Sequence, residues 1–267
     1  MNQDRIAVLA GDGELPLIVA KRIDEKNSLA LVIVLQGNKE RFNFLHERVA
    51  EIAPGRLKKI LKLLEKEKID KVIMIGKIDK QGFIERKGFD MKALSVIKRM
   101  RDGKDVTIFS CIQEELKQIG VDVLPQDKYI KDMLAKKGVL TQRTPKESIL
   151  EDANFGMRYA RKLATMDIGQ TIVVKNKTII AVEAVEGTNE TIKRGGILGR
   201  GSSVVCKAAR KKQDARFDIP VVGLETIKVM AEHKCATLAV ESGKILIAGM
   251  NDVINFANKK GIAILGL

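Results

Sequence analysis

The strongest constraint on this sequence is an alternation in its N-terminal half. Short β-branched runs take turns with stretches of helical periodicity. "IAVLAG" at 6–11 reads as a buried strand, and "GDGELP" as the turn into a helix reaching about residue 26. "LALVIVLQG" is a second strand, and "DKVIMIGK" a third that ends in Gly76. Between them "RLKKILKLLEKEKI" spaces its apolar residues by three and four, the pattern of an amphipathic helix. Two more helices, near 91–101 and 106–118, precede the short strand "VDVL". Strands and helices alternating at this length imply a parallel sheet with right-handed crossovers.

The segment "LAKKGVLTQRTPKES" at 134–148 breaks the pattern. It holds Gly138 and Pro145, shows no periodicity, and offers Thr144 or Ser148 as a helix cap. The expected organisation is a domain at 1–137, a linker at 138–148 and a second domain at 149–267. That second half opens with a helix at 149–164. "QTIVVKNKTIIAVEAVEG" then reads as two strands joined by a "KNK" turn, and "GGILGRGSS" as a glycine-rich loop. A strand at 203–207, the helix "ETIKVMAEH", the strands in "TLAVESGKILIAG", a helix near 251–260 and the strand "IAILGL" follow. The fold class is therefore α/β, with a Rossmann-like parallel N-terminal domain and a mixed α/β C-terminal domain.

Composition narrows the function. With 267 residues, 45% of them hydrophobic, two cores are within reach, built from aliphatic side chains because Trp is absent and aromatics make up only 4%. A net charge of +14 favours anionic partners: nucleic acid, nucleotide phosphates or an acidic membrane surface. The lysines are spread along the chain, and two Tyr without Trp give no stacking platform, so nucleic acid is not expected. Cys111, Cys206 and Cys235 show no CxxC spacing and read as free thiols of a reducing compartment. His46 and His233 are isolated, which speaks against a zinc site or a Ser-His-Asp triad. No apolar run reaches about 18 residues and the start of the chain is polar, so the expectation is a cytoplasmic protein whose membrane contact is peripheral.

Four loops could carry chemistry. In "AGDGELP", Gly11 and Gly13 sit between a strand and a helix, where backbone N–H groups can approach a phosphate or simply make a tight turn. The third glycine of a dinucleotide fingerprint is missing, and Gly37 stands where a ribose-binding acid would follow the second strand. "VEAVEGTNE" places Glu183 and Val185 on one strand face and Glu186 on the other, with Glu186, Gly187 and Thr188 as the strand-end turn. Such carboxylates suit Mg²⁺, or they are solvated acids of an edge strand. "KRGGILGRGSS" brings Arg194 and Arg200 to a glycine backbone, as in an anion-binding lid or a plain surface turn. "KKQDARFDIPVVG" at 211–223 sets Asp214 and Asp218 among Lys207, Arg210, Lys211, Lys212 and Arg216, with Pro220 fixing the exit. Cations plus an acid are what phosphoanhydride cleavage needs, and equally what a salt-bridged surface loop contains.

Four segments, "LAGDGELPLIVA", "DIGQTIVVKNKTIIAVEAVEGT", "VVCKAARKKQDARFDIPVVGLETI" and "LAVESGKILIAGMNDVINFANKKGIAILGL", together resemble the LpxI-type UDP-2,3-diacylglucosamine pyrophosphatases of the lipid A pathway. The resemblance covers essentially the whole chain in the same order. It implies two α/β domains with the active site between them. The implied reaction is hydrolysis of UDP-2,3-diacylglucosamine to UMP and 2,3-diacylglucosamine 1-phosphate (lipid X), with a divalent metal such as Mg²⁺. The family's essential acid falls on Asp218, a catalytic residue and metal ligand, with Asp214 as a second metal candidate. By motif, Gly11, Gly13, Gly76, Lys77, Gly103, Glu186, Gly187, Thr188, Lys207, Gln213 and Arg216 are implied to bind substrate.

The chain departs from the family where Lys104 and Asp105 follow Gly103, where Asn189 follows Gly187-Thr188, and where Ala209 and Lys211 replace prolines. An anionic amphiphile at the inner leaflet would also draw a basic protein, by about 1 kcal/mol per near-surface Lys or Arg. The alternative is a nucleotide or sugar-nucleotide binding protein, or an oxidoreductase, using the first glycine loop.

Overall fold

In the computed structural model, the structure describes residues 4–78, 88–99, 105–210, 214, 216 and 219–267, with only the backbone described at 105 and 106. By internal contacts the chain divides into two compact units, the first running to Ile130 and also taking in Asp214 and Arg216, the second comprising the other described residues from Lys131 on.

The first unit is built on five parallel strands: β1 (Ile6–Ala10), β2 (Leu29–Val34), β3 (Val49–Glu51), β4 (Lys71–Ile75) and β5 (Asp122–Val123), in the order β3-β2-β1-β4-β5. All four pairings are parallel. The helices are α1 (Leu15–Asp24), α2 (Leu57–Lys66), α3 (Met91–Arg99) and α4 (Asp105–Gln118). β1 is buried along its whole length, which is why it reads as an unbroken apolar run. Leu57, Ile60, Leu61 and Leu64 form the buried stripe of α2 and pack with Leu9, Leu31, Ile33 and Met74. Between α3 and α4 the buried Glu115 accepts from Lys92 and Arg99. Burial alone would raise its pKa, but these two cations outweigh burial and hold it below the ordinary value. One strand goes unread in the sequence. β3 is three residues long and follows a 3₁₀ segment, Lys39–Arg48, so it shows no period.

The second unit has a six-stranded mixed sheet in the order β6-β13-β11-β9-β7-β8. Its strands are β6 (Gly138–Val139), β7 (Thr171–Lys175), β8 (Thr178–Val182), β9 (Ser203–Lys207), β11 (Cys235–Val240) and β13 (Ala263–Gly266). β9, β11 and β13 run parallel, while β6, β7 and β8 each run antiparallel to a neighbour. A separate parallel pair joins β10 (Val221–Val222) to β12 (Leu246–Ile247). Helix α5 (Glu147–Thr165) covers one face, with Ala153, Met157 and Ala160 against Ile172, Val174 and Val204. Helices α6 (Thr188–Gly199), α7 (Leu224–Glu232) and α8 (Met250–Lys259) cover the other, around Val173, Val205, Leu238 and Ile264. Ile172 and Val174 face one layer and Val173 the opposite one, as the strand period requires.

Three local features differ from the sequence expectations. Residues 138–139, expected in a linker, form the edge strand β6, and Leu140 donates to Ile264 O at 2.9 Å. Helix α5 begins after Lys146 with no side-chain cap, so neither Thr144 nor Ser148 has that role. Most of "GGILGRGSS" is the C-terminal half of helix α6, not a loop. The glycines serve packing there. A Cβ on Gly195 would lie 2.5 Å from Val173 Cγ2, and Cβ atoms on Gly196 and Gly199 would collide with His233 and Ser203. The helix therefore lies too close to the sheet and to the end of α7 for any side chain at those three positions.

Candidate active site

In the first unit the sheet order reverses at β1 and β4, and α/β sheets bind ligands outside the carboxyl ends of such strands. Gly11 and Gly13 follow β1 there, and Gly76 and Lys77 follow β4. Asp12 and Lys77 bridge the two loops, each N–H donating to the other's carbonyl at 2.7 and 2.8 Å. Gly11 N–H donates to Ile75 O at 2.8 Å. The amides of Gly11, Asp12 and Lys77 are therefore committed to bonds between the two loops. The glycines allow a close crossing. A Cβ on Gly11 would meet Lys77 O at 2.5 Å, and one on Gly76, at φ +103°, would meet Gly11 Cα at 2.8 Å. Gly13, at φ +110°, has nothing within 4 Å of its missing side chain and faces open space.

In the second unit the chain leaves β8 at Val182, earlier than the expected strand end, and turns through 183–187 into α6. Gly187 is the residue before the helix, with φ 82° and ψ 173°, and Thr188 opens it. Thr188 lies against Lys207, the last residue of β9 and only 8% exposed. Lys207 Nζ donates to Thr188 Oγ1 at 2.8 Å, and that hydroxyl donates to Glu183 Oε1 at 2.9 Å. The second oxygen of Glu183 accepts Gln170 N–H at 3.1 Å, and Thr171 Oγ1 lies 3.4 Å from the Thr188 hydroxyl. A carboxylate thus orients a hydroxyl, and the hydroxyl orients an ammonium at a helix N-terminus. This arrangement favours an anion, since both the helix dipole and the lysine present positive charge.

Glu186 has a narrower role than its position suggests. It accepts Ala184 N–H at 3.1 Å, the Thr191 hydroxyl at 3.3 Å and Arg194 at 2.7 Å, closing the turn before α6. Its own backbone N–H is the largest influence on its pKa, and with Arg194 it holds the carboxyl below the ordinary value.

Glu241 was not singled out from the sequence. It follows β11, is 6% exposed, and its N–H donates to Lys207 O at 3.1 Å. Its carboxylate accepts Ala209 N–H at 3.0 Å, Arg161 Nε at 3.1 Å and Lys244 Nζ at 2.9 Å. Burial would raise its pKa, yet Lys244, the Ala209 amide and Arg161 together hold it low. Glu241 therefore pins Ala209 beside the end of β9.

Asp214 lies in the fork of Arg216. Its Oδ1 is 2.9 Å from Nε and its Oδ2 is 2.6 Å from the terminal nitrogen, and Oδ1 also accepts Arg216 N–H at 3.0 Å. The Arg216 side chain is the main reason its pKa is lowered. A carboxylate with both oxygens in a guanidinium fork does not fit a metal ligand. Among the described residues no group of three or more His, Cys, Asp or Glu side chains could hold a metal ion. Gly103, Gln213 and Asp218 lie outside the described residues.

Comparison with known proteins covers the chain almost end to end. A model of the LpxI N-terminal domain matches residues 5–133, and a model of the LpxI C-terminal domain matches residues 136–265. The UDP-2,3-diacylglucosamine pyrophosphatase LpxI of Caulobacter vibrioides is 27% identical over 274 residues, covering 98% of this chain and 97% of that protein.

Proposed function

The chain belongs to the LpxI family, matched in both domains and in order, and on that premise we propose that it hydrolyses UDP-2,3-diacylglucosamine at its pyrophosphate. The reaction is that of a hydrolase acting on a phosphoanhydride, in lipid A synthesis. Water attacks one phosphorus, the P–O bond to the bridging oxygen breaks, and the products are UMP and 2,3-diacylglucosamine 1-phosphate. The substrate would be met at the cytoplasmic face of the inner membrane, which a basic protein approaches as a peripheral partner.

The observation that carries this reading is the Glu183–Thr188–Lys207 relay at the N-terminus of α6. Pyrophosphate cleavage needs fixed positive charge where negative charge develops on the leaving phosphate, and fixed groups do this without reorganising during the reaction. Lys207 is already held in place by Thr188, so it meets that need better than a mobile surface lysine. Asp218 is assigned to orienting the attacking water, and Gly13, Lys77 and Arg216 to substrate binding. Mg²⁺, when bound, would neutralise pyrophosphate charge. Since Asp214 is committed to Arg216, Asp218 is left as the candidate ligand. The glycine loop of the first unit does not favour an oxidoreductase, because the amides of Gly11 and Asp12 are already hydrogen-bonded.

The test is UMP release from UDP-2,3-diacylglucosamine by wild type and Asp218→Ala, each with Mg²⁺ and with EDTA. Metal-dependent release that falls by about 10²-fold or more in the variant supports the assignment. No release by folded wild type overturns the activity. Full release in EDTA removes the metal.

A further inference from the structure

The exposed side of α5 combines features that no residue of the relay explains. Phe155, Tyr159, Lys162 and Met166 follow one another at spacings of four, three and four, so they share one stripe of the helix. Tyr159 is 39% exposed, Met166 is 68% exposed, and Ile168, just beyond the helix, is 47% exposed. Arg158 stacks on Phe155 with its guanidinium carbon 5.7 Å from the ring centre, and Lys162 stacks on Tyr159 at 5.4 Å. The two rings are 4.7 Å apart. A cleft of about 620 Å³ opens beside this stripe, walled by Phe155, Arg158, Arg161, Lys137, Lys177 and Glu151.

The charge on this side is one-signed once its ion pairs are closed. Glu151 pairs with Lys177 at 2.7 Å, and Asp167 with Arg210 at 2.8 Å. Of the ion pairs among the described residues, none takes Arg158 or Lys162. What remains is exposed apolar surface flanked by cations held near aromatic rings. An interfacial helix has this composition: rings and Met sit at the level of the acyl boundary while Arg and Lys reach the headgroup phosphates.

We propose that this side of α5, from Phe155 to Ile168, docks the protein on an anionic bilayer surface. The proposal rests on the activity proposed above, whose substrate carries two acyl chains, and it adds the part of the protein that meets the lipid. Its position suits that task. Asp167 binds Arg210, and Arg161 reaches Glu241, which holds the Ala209 amide. The docked end of α5 thus adjoins Ala209 and Arg210, just beyond Lys207 at the end of β9.

The experiment is co-sedimentation of the full chain with vesicles of phosphatidylglycerol and phosphatidylcholine in equal parts, and with pure phosphatidylcholine vesicles. Wild type is expected to pellet with the former only. Arg158→Gln/Lys162→Gln should weaken binding about 25-fold, from about 5-fold per near-surface charge. Arg158→Lys, which keeps the charge, should bind as wild type and guards against a folding defect. Tyr159→Ser/Met166→Ser should weaken binding at unchanged charge. Lys62→Gln/Lys66→Gln on α2 should bind as wild type. Equal loss in the α2 pair would show diffuse charge attraction and overturn the proposal, as would wild type that stays in the supernatant. Hydrolysis of detergent-dispersed substrate is measured alongside. Failure of wild type there overturns the activity, whereas vesicle binding is read without it.

Discussion

Replacing Gly195 with Ala tests whether the glycines of α6 are packing residues. Substituting Gly by Ala in a helix interior favours the helix by up to about 1 kcal/mol. Against that gain stands Val173, fully buried on β7. The new Cβ would lie 2.5 Å from Val173 Cγ2, 2.6 Å from its Cβ and 2.8 Å from its Cγ1. Turning the valine about χ1 moves the methyls but not the Cβ, so the helix itself has to retreat by about 1 Å to reach ordinary contact. Gly196, against His233, and Gly199, against Ser203, stop it from tilting instead. Overpacking of this kind costs about 1–3 kcal/mol. The net expectation is a loss of about 1–2 kcal/mol, seen as a fall of about 2–8 °C in Tm by circular dichroism. In a Val173→Ala background two of the three close atoms are gone, so the penalty should shrink. A Gly195→Ala protein as stable as wild type, or an equal penalty in both backgrounds, would refute the packing argument.

Thr188→Val removes the hydroxyl that links Lys207 to Glu183, and kcat/KM for UMP release should fall about 10- to 100-fold through misplacement of the ammonium; unchanged kcat/KM would break the relay. Asp152, 3% exposed, accepts the N–H groups of Asn176 at 2.8 Å and Lys177 at 2.6 Å, the two positive-φ residues of the β7–β8 turn. Asp152→Ala should therefore cost about 2–3 kcal/mol in urea unfolding, while Lys177→Gly, which relieves a left-handed lysine, should gain about 1 kcal/mol. Glu241 has its folded pKa below the ordinary 4.5. Its contribution is thus present above that value and is lost as pH falls through the lower, folded one. Unfolding followed from neutral pH to below 4.5 should show wild type losing stability on acidification, and Glu241→Gln should flatten that slope.

The parallel sheet of the first unit was legible because its strands are buried on both faces, which leaves β1, β2 and β4 as apolar runs separated by helical periods. Helix α6 was not, because three glycines in five residues signal a loop by propensity. What makes them helical is the nearness of Val173, His233 and Ser203, which only the fold supplies. Lys207, Gly187 and Thr188 were picked out through the resemblance. Glu183 was noticed as an acid near a strand end, but the partners of its carboxylate, Gln170 and Thr188, lie on two separate segments. Glu241 was missed for a related reason. An acid after an apolar run looks like any solvated turn residue, and its partner Arg161 is 80 positions away.

The packing of α6 and the chemistry proposed for it are one problem. Thr188 and Gly195 ride on the same helix, so the distance of that helix from the sheet sets the reach of the Thr188 hydroxyl to Lys207. At the present separation the two are 2.8 Å apart. A retreat of about 1 Å takes them beyond hydrogen-bonding distance, where the ammonium loses its orientation. Gly195→Ala should therefore lower kcat/KM at temperatures where the variant is fully folded, and Val173→Ala should restore part of it. Were the variant merely less stable, with turnover per folded molecule unchanged, the glycines would serve the core alone and the relay would not depend on how closely the helix lies.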